Sequence, residues 1–344
     1  MESAFITVPE KCSATSIAMA DLPLAVGPAM IRAERSPFPG MAPSVGMDNV
    51  LTLISNSTDG ALSADLVDVT HRALEGVGGQ SAVPDWLSPA EAVDIAFEGV
   101  RPKDAEDAVR QALGDRPIDV IAQSALRRKK KLIIADMDST IVSGETLDEL
   151  AEFAGLKDKI AALTARAMNG EIGFREALTT RVAMLEGLSE SFLEDTMNGV
   201  HLNPGAKELI RTMRQNSAFT ALISGGFSYF TDRIREQVGF HMSLGNKLEI
   251  TDGQLTGQVI PPVVDKNTKL EMLIDMAAGQ ELGMTDTFAI GDGANDVPML
   301  EAAGMGVAYH GHPVAREHAR ARLDHTDLTG ALFIQGYRRD EFAA

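Results

Sequence analysis

The stretch "KLIIADMDST", Lys131 to Thr140, decides how this chain reads. An apolar run ends abruptly in two aspartates separated by one methionine, Asp136 and Asp138. A short unbroken apolar run suits a strand buried on both faces of a parallel sheet. Successive strand side chains alternate between faces, so the two acids are expected to share one. In open α/β sheets, ligands bind beyond the carboxyl ends of the strands, where these acids stand. Two carboxylates so close repel, and one is driven toward protonation unless a cation sits between them. Taken alone, the pair also fits an acid that caps a turn before Ser139 and Thr140. An EF-hand is excluded, because the sixth and twelfth positions counted from Asp136 are Ile141 and Leu147, not Gly and Glu.

Working outward, strand and helix signals alternate after Lys131, as in an open parallel α/β sheet. The helical stretch from Thr146 to about Gly199 is too long for one crossover and reads as an insert over the sheet. A second apolar run ends in "GDGAND", Gly291 to Asp296, and puts Asp292 at a strand end. A third ends in "LISGG", Leu222 to Gly226, where a hydroxyl and glycine amides offer donors without bulk. Between them, "DKNTKLEML" places Lys269 on an amphipathic helix, where a lysine near phosphate oxygens would offset their charge. Three acids, a serine and a lysine at three strand ends compose a site for Mg²⁺ and a phosphate. Mg²⁺ takes one or two carboxylates plus phosphate and water, and aspartate is a competent phosphoryl acceptor. Neither a Walker P-loop nor a dinucleotide fingerprint occurs.

"DMDST", "SGG", "TK" and "GDGAND", in that order, resemble the four motifs of the haloacid dehalogenase superfamily phosphatases. "DMDSTIVSGETLDELAEFAG" and the hairpin "NKLEITDGQLTG" resemble the phosphoserine phosphatases within it, and the likeness covers roughly residues 130–335. The resemblance implies Mg²⁺-dependent hydrolysis of O-phospho-L-serine through an aspartyl phosphate, the last step of serine biosynthesis. It implies Asp136 as nucleophile and metal ligand, and Asp138 as acid and base with its backbone carbonyl on the metal. Asp292 would be the second metal carboxylate, Ser224, Gly225 and Lys269 the phosphate site, and Asp296 the group that positions Lys269. Asn295 would reach the phosphate or its hydration. Glu145 and Arg181 would take the serine ammonium and carboxylate, with Met168 and Phe174 as the apolar wall of the cap. An alternative keeps the chemistry and changes the substrate to another small phosphomonoester, or transfers the phosphoryl group to an alcohol. A receiver or sensor without turnover fits less well, since it needs neither so large an insert nor Asp138.

The N-terminal part reads differently. Residues 1–46 hold six of the fifteen prolines and are expected to form a disordered or loosely attached extension. Residues 47–126 carry strand and helix patterns in the order βαββαβ, a ferredoxin-like unit. Its helix "ALSADLVDVTHRALEG" sets Leu62, Leu66, Val69 and Leu74 on one face. Such a unit either senses an amino acid or serves packing and dimerisation, and both readings stay open. Its resemblance to the amino-acid-sensing (ACT-like) domains of serine biosynthesis implies serine as a regulator; such sheets commonly pair, which leaves room for a homodimer without fixing the oligomeric state. "RRKKK", Arg127 to Lys131, reads as a solvated linker to the phosphatase domain at 127–344, whose helical cap is expected at about 147–203. The expected architecture is therefore α/β: an open parallel Rossmann-like sheet with an inserted helical cap, preceded by the ferredoxin-like domain.

A net charge of −18 over 344 residues argues against nucleic acid as a partner. The single cysteine, Cys12, excludes an intrachain disulfide and suits a reducing cytoplasm. Neither a membrane span nor an export signal is legible.

Overall fold

The computed structural model describes residues 47–56, 62–168 and 172–344, excluding the side chains of residues 161 and 164–168. The expected extension over 1–46 and the side chain of Met168 lie outside the described residues.

The N-terminal elements are β1 (Asn49–Ser55), α1 (Ala64–Gly76), β2 (Gln80–Ser81), β3 (Asp85–Ser88), β4 (Ala92–Glu98), α2 (Pro102–Leu113) and β5 (Ile118–Ser124). Their sheet runs β2-β4-β1-β5 with β3 also on β4, and each pairing is antiparallel. Pro84 lies in the gap between β2 and β3, where a missing N–H interrupts a ladder. The buried face of α1 turns on Val67, Thr70 and Leu74, while Leu66 and Val69 are only partly covered. Leu51, Leu53, Val93 and Ile95 pack with α1 and α2, whereas Ile54, Ala92 and Ile121 join the core of the C-terminal part. Both faces of this sheet are thus covered, and β1 is buried almost throughout instead of alternating.

The linker expected at Arg127 to Lys131 is solvated at Arg127, Lys129 and Lys131, but not at Arg128 and Lys130. Arg128 is 12% exposed and ion-pairs with Asp94 at 2.6 Å. It also donates to the carbonyls of Phe333 and Ile334. Lys130 is 6% exposed and donates to the Thr285 carbonyl at 2.7 Å. A guanidinium has enough donors to serve a carboxylate and two carbonyls together, so this basic run ties two sheets to each other.

The C-terminal part continues with β6 (Leu132–Ala135), β7 (Val142–Ser143), α3 (Thr146–Phe153), α4 (Lys157–Met168), α5 (Phe174–Ala183), α6 (Ser191–Gly199) and β8 (His201–Leu202). Next come α7 (Ala206–Gln215), β9 (Phe219–Phe227), α8 (Ser228–Val238), β10 (Met242–Thr251), β11 (Gln254–Ile260) and α9 (Lys266–Gly279). The chain closes with β12 (Thr287–Gly291), α10 (Val297–Ala302), β13 (Met305–Tyr309), α11 (Pro313–His318), β14 (Ala321–Leu323) and α12 (Gly330–Ile334). The sheet order is β11-β10-β9-β6-β12-β13-β14, parallel except for the β10–β11 hairpin. That hairpin turns on Asp252 and Gly253, both at positive φ, as a tight two-residue turn demands.

Central β6 is flanked by β9 and β12, so the three motif-bearing strand ends are neighbours. The chain leaves β6 toward β9 and later returns to β12 on the other side, which opens a crevice at the end of β6. The helices α3 to α6 form the excursion that follows β6. β7 and β8 pair antiparallel at its foot, Val142 opposite Leu202, and bring its ends together.

Candidate active site

The strand β6 stops at Ala135, one residue before the first acid, so a turn rather than strand alternation presents the two aspartates. The Asp136 amide donates to the Ile290 carbonyl of β12 at 3.0 Å, and its Oδ1 accepts from the Met137 amide at 2.8 Å. Ser139 in this turn sits at φ 54°, the left-handed region that costs a residue with a Cβ. Its amide donates to the Gly144 carbonyl and its hydroxyl to Glu145 Oε1 at 2.8 Å, which holds it there.

Lys269 is wholly buried, on the face of α9 that also carries Leu273 and Ala277. Asp265 caps this helix with a capping box to Thr268, which fixes where the lysine enters. The Lys269 Nζ lies 2.8 Å from Asp136 Oδ1 and 2.6 Å from Asp296 Oδ1. Burial alone would lower the Lys269 pKa, but the two carboxylates more than offset that and hold it raised and charged.

Asp136, Asp292 and Asp296 bring ligand oxygens within 4.8 Å of one another. They are not equivalent. Asp296 Oδ1 is taken by Lys269, and its Oδ2 accepts from the Asp292 and Gly293 amides at 3.1 and 3.0 Å. A Cβ at Gly291 would stand 2.4 Å from Asp296 Cγ, so only glycine lets that carboxylate in. Among the described residues, the Asp292 carboxylate accepts just from the Thr140 hydroxyl, at 3.3 Å. Asp136 Oδ2 has the Asn295 amide at 3.4 Å. Asp136 and Asp292 are therefore the carboxylates with capacity for a cation. Burial, then the charges of Asp136 and Asp296, push Asp292 up to about 7. Asp296 is pushed up to about 6 by burial and by Asp136. Such shifts are the mark of excess buried negative charge, which a bound divalent cation relieves.

Asp138 faces the other way. Its Oδ1 accepts from the Thr146 amide at 2.9 Å and its Oδ2 from the Ser224 hydroxyl at 3.3 Å. Burial and the Asp136 charge push it up to about 6 against the opposing Thr146 amide. Ser224 also accepts from the Gly226 amide at 2.8 Å, and a Cβ on Gly226 would come within 2.7 Å of Asp138 Oδ2.

The cap residues stand around this centre. Phe174 opens α5, and its ring Cζ lies 3.3 Å from where a Gly225 Cβ would be, so the ring leans over the β9 loop. Glu145 precedes α3 at the solvent-exposed rim, and its pKa is raised by burial of its carboxyl and by the Asp138 charge. Arg181 Nε donates to the Ala177 carbonyl, and its pKa is lowered by burial against the opposing fields of Asp148 and Glu145.

Two positioning residues were missed in the sequence. Thr140 touches Asp292 from within the first motif, where its place next to Ser139 was the available signal. Asn246 is fully buried in β10 and donates to the Gly225 carbonyl at 2.7 Å and the Val264 carbonyl at 3.3 Å. Its Oδ1 accepts from the Val264 amide at 2.8 Å. It sits where the β9–β10 register shifts, and no local pattern marks it.

Residues 133–301 match the model of the haloacid dehalogenase-like hydrolases. A phosphoserine phosphatase of Streptomyces coelicolor is 39% identical over 258 residues, 74% of this chain and 63% of the relative. The chain thus spans less than two thirds of that protein's length. A phosphoserine phosphatase of Streptococcus thermophilus is 42% identical over 205 residues, 60% of this chain and 95% of the relative. Among solved structures, a phospho-aspartyl intermediate analogue of phosphoserine phosphatase is similar, with a TM-score of 0.56 and 35% identity over 59% of this chain and 98% of its own.

Proposed function

Because the chain belongs to the phosphoserine phosphatase family of the haloacid dehalogenase-like hydrolases, we propose that it hydrolyses O-phospho-L-serine to L-serine and phosphate, closing serine biosynthesis in a reducing cytoplasm. The observation that carries this reading is one hydrogen-bonded site, at three adjacent strand ends, that holds Asp136, Asp138, Ser224 and Lys269.

In this reading a carboxylate oxygen of Asp136 attacks phosphorus in line, and the bond from phosphorus to the serine oxygen breaks as the aspartyl phosphate forms. Asp138 gives its proton to the departing oxygen and then takes one from the water that hydrolyses the aspartyl phosphate. A carboxyl pushed up to about 6 is poised for both states near neutral pH. The Ser224 hydroxyl, the Gly225 amide and the Lys269 ammonium hold phosphoryl oxygens, while Asp296 keeps Lys269 aimed. Asn295, already beside Asp136, reaches the phosphate or its hydration. Mg²⁺ fits the donor set, held by the Asp136 and Asp292 carboxylates and the Asp138 carbonyl, and when bound it offsets phosphate and carboxylate charge.

Recognition of serine falls to the rim. Glu145, with a pKa raised by its surroundings, gains most from an ammonium partner. Arg181 takes the carboxylate through two parallel hydrogen bonds, which a lysine could not reproduce. Phe174 and Met168 close the apolar wall.

The test is phosphate release from L-phosphoserine with Mg²⁺, with EDTA, and in Asp136→Asn. Rapid release that disappears with EDTA and in the variant supports the reading. Hydrolysis of an aryl phosphate with phosphoserine inert would keep the chemistry and reject the substrate.

A further inference from the structure

Asn203 follows β8, where the chain of the cap returns to the sheet, and it lies outside the four motifs. This one residue takes three consecutive carbonyls of the outgoing arm. Its side-chain amide donates to the Thr140 carbonyl at 2.8 Å and the Val142 carbonyl at 3.2 Å. Its backbone amide donates to the Ile141 carbonyl between them, at 2.9 Å. A carboxamide has two N–H donors on one nitrogen, so it spans two carbonyls where a hydroxyl serves one.

The clamp is anchored from behind. The Leu328 amide donates to the Pro204 carbonyl at 3.1 Å. Gly205 stands at φ 82°, and a Cβ there would come within 2.5 Å of the Thr329 nitrogen. The segment that carries Asn203 is therefore held on the core, and the outgoing arm is held on Asn203.

Thr140 is wholly buried, and among the described residues its hydroxyl is the one donor to the Asp292 carboxylate, at 3.3 Å. That distance is long for a hydroxyl donor, so a small shift of Thr140 would break the contact. Thr140 thus offers its carbonyl to Asn203 and its hydroxyl to Asp292. Asn203 and Asp292 also share the walls of a cleft of about 340 Å³. Groups one step behind a metal ligand set where its oxygens point, and losing one commonly costs roughly ten- to a hundredfold in affinity.

We propose that Asn203 is a positioning residue for the Mg²⁺ site: by fixing Thr140 it keeps the Asp292 carboxylate aimed, so the foot of the cap helps to set metal affinity. The inference rests on the proposed reaction only in taking Mg²⁺ as the ion at Asp136 and Asp292.

The test is calorimetric titration of the full chain with Mg²⁺ in a double-mutant cycle of Asn203→Leu and Thr140→Val, with the urea midpoint of each variant recorded. Both substitutions nearly keep the size of the side chain and remove its polar atoms. Thr140→Val should weaken Mg²⁺ about tenfold and Asn203→Leu about fivefold. Because both act through one hydroxyl, the double variant should match Thr140→Val within about twofold. Thr140→Ser, which keeps the hydroxyl, should restore most of the affinity lost in Thr140→Val. Should Asn203→Leu not fold, Asn203→Ser, with one donor in place of two, runs the same cycle with a smaller loss in the same direction. A purely structural role would lower the urea midpoint alone. Full Mg²⁺ affinity in a folded Asn203 variant, or losses that multiply in the double variant, would overturn the proposal. A cycle as predicted with phosphoserine inert would uphold it and fault the proposed reaction alone.

Discussion

The strand ends and the cap handle charge in opposite ways. At the strand ends the charged groups are buried and already committed: Lys269 lies between Asp136 and Asp296, and Asp296 also accepts from two amides. At the rim, Glu145 is exposed just before the cap begins, and Phe174 in the cap is 40% exposed. Preorganised groups cost little to align when charge develops in a transition state, whereas groups at a rim gain their order from the ligand. In the proposed function, chemistry therefore falls to the sheet and choice of substrate to the rim and cap.

The strongest way to break that contrast is Lys269→Met. It leaves two buried carboxylates without their cation, at a cost of ~3–5 kcal/mol. Urea unfolding should register that loss and turnover should vanish; near-normal stability would mean that Asp136 and Asp296 are not held as described.

Removing divalent cations should expose the excess negative charge through pH. The folded-state pKa values of Asp138, Asp292 and Asp296 all lie above their ordinary value of 3.8, at about 6, 7 and 6. The folded metal-free protein then binds more protons than the unfolded chain between 3.8 and about 7, so its stability falls as pH rises through that window. Melting in EDTA should drop from pH 5 to pH 7.5, and Mg²⁺ should raise it more at the higher pH. Equal Mg²⁺ stabilisation at both would place the ion elsewhere.

Asn246→Ala sharpens the same comparison on neutral groups. It strands the Gly225 carbonyl and both Val264 backbone groups, which should cost ~2 kcal/mol and lower kcat about tenfold through the displaced loop. The smallest effect should come from Phe174→Ala, which removes a half-exposed ring. KM for phosphoserine should rise about threefold with kcat little changed, as for binding shared by ground and transition states.

What was legible in the sequence follows the range of the forces involved. Each strand end could be read locally, because an apolar run stopping at Asp136, Ser224 or Asp292 is a short-range pattern. That β6 lies between β9 and β12 depends on pairings across more than eighty residues, and only the motif order hinted at it. Asn246 was invisible because its three partners come from elsewhere in the chain. Arg128 misled for a similar reason: a basic run favours water until a distant carboxylate, here Asp94, makes burial tolerable. The unbroken apolar run at Leu132 to Ala135 reported two-sided burial correctly, yet β1 did not betray that its second face packs on the phosphatase core.

The most direct test of the division between sheet and cap is kcat/KM for L-phosphoserine and for an aryl phosphate, measured in the wild-type chain and in Arg181→Leu. The account predicts a fall of ~100-fold or more for phosphoserine, from loss of a bidentate charged pair, with the aryl phosphate unchanged within about threefold. An equal fall for both substrates would place Arg181 in the chemistry and contradict the division.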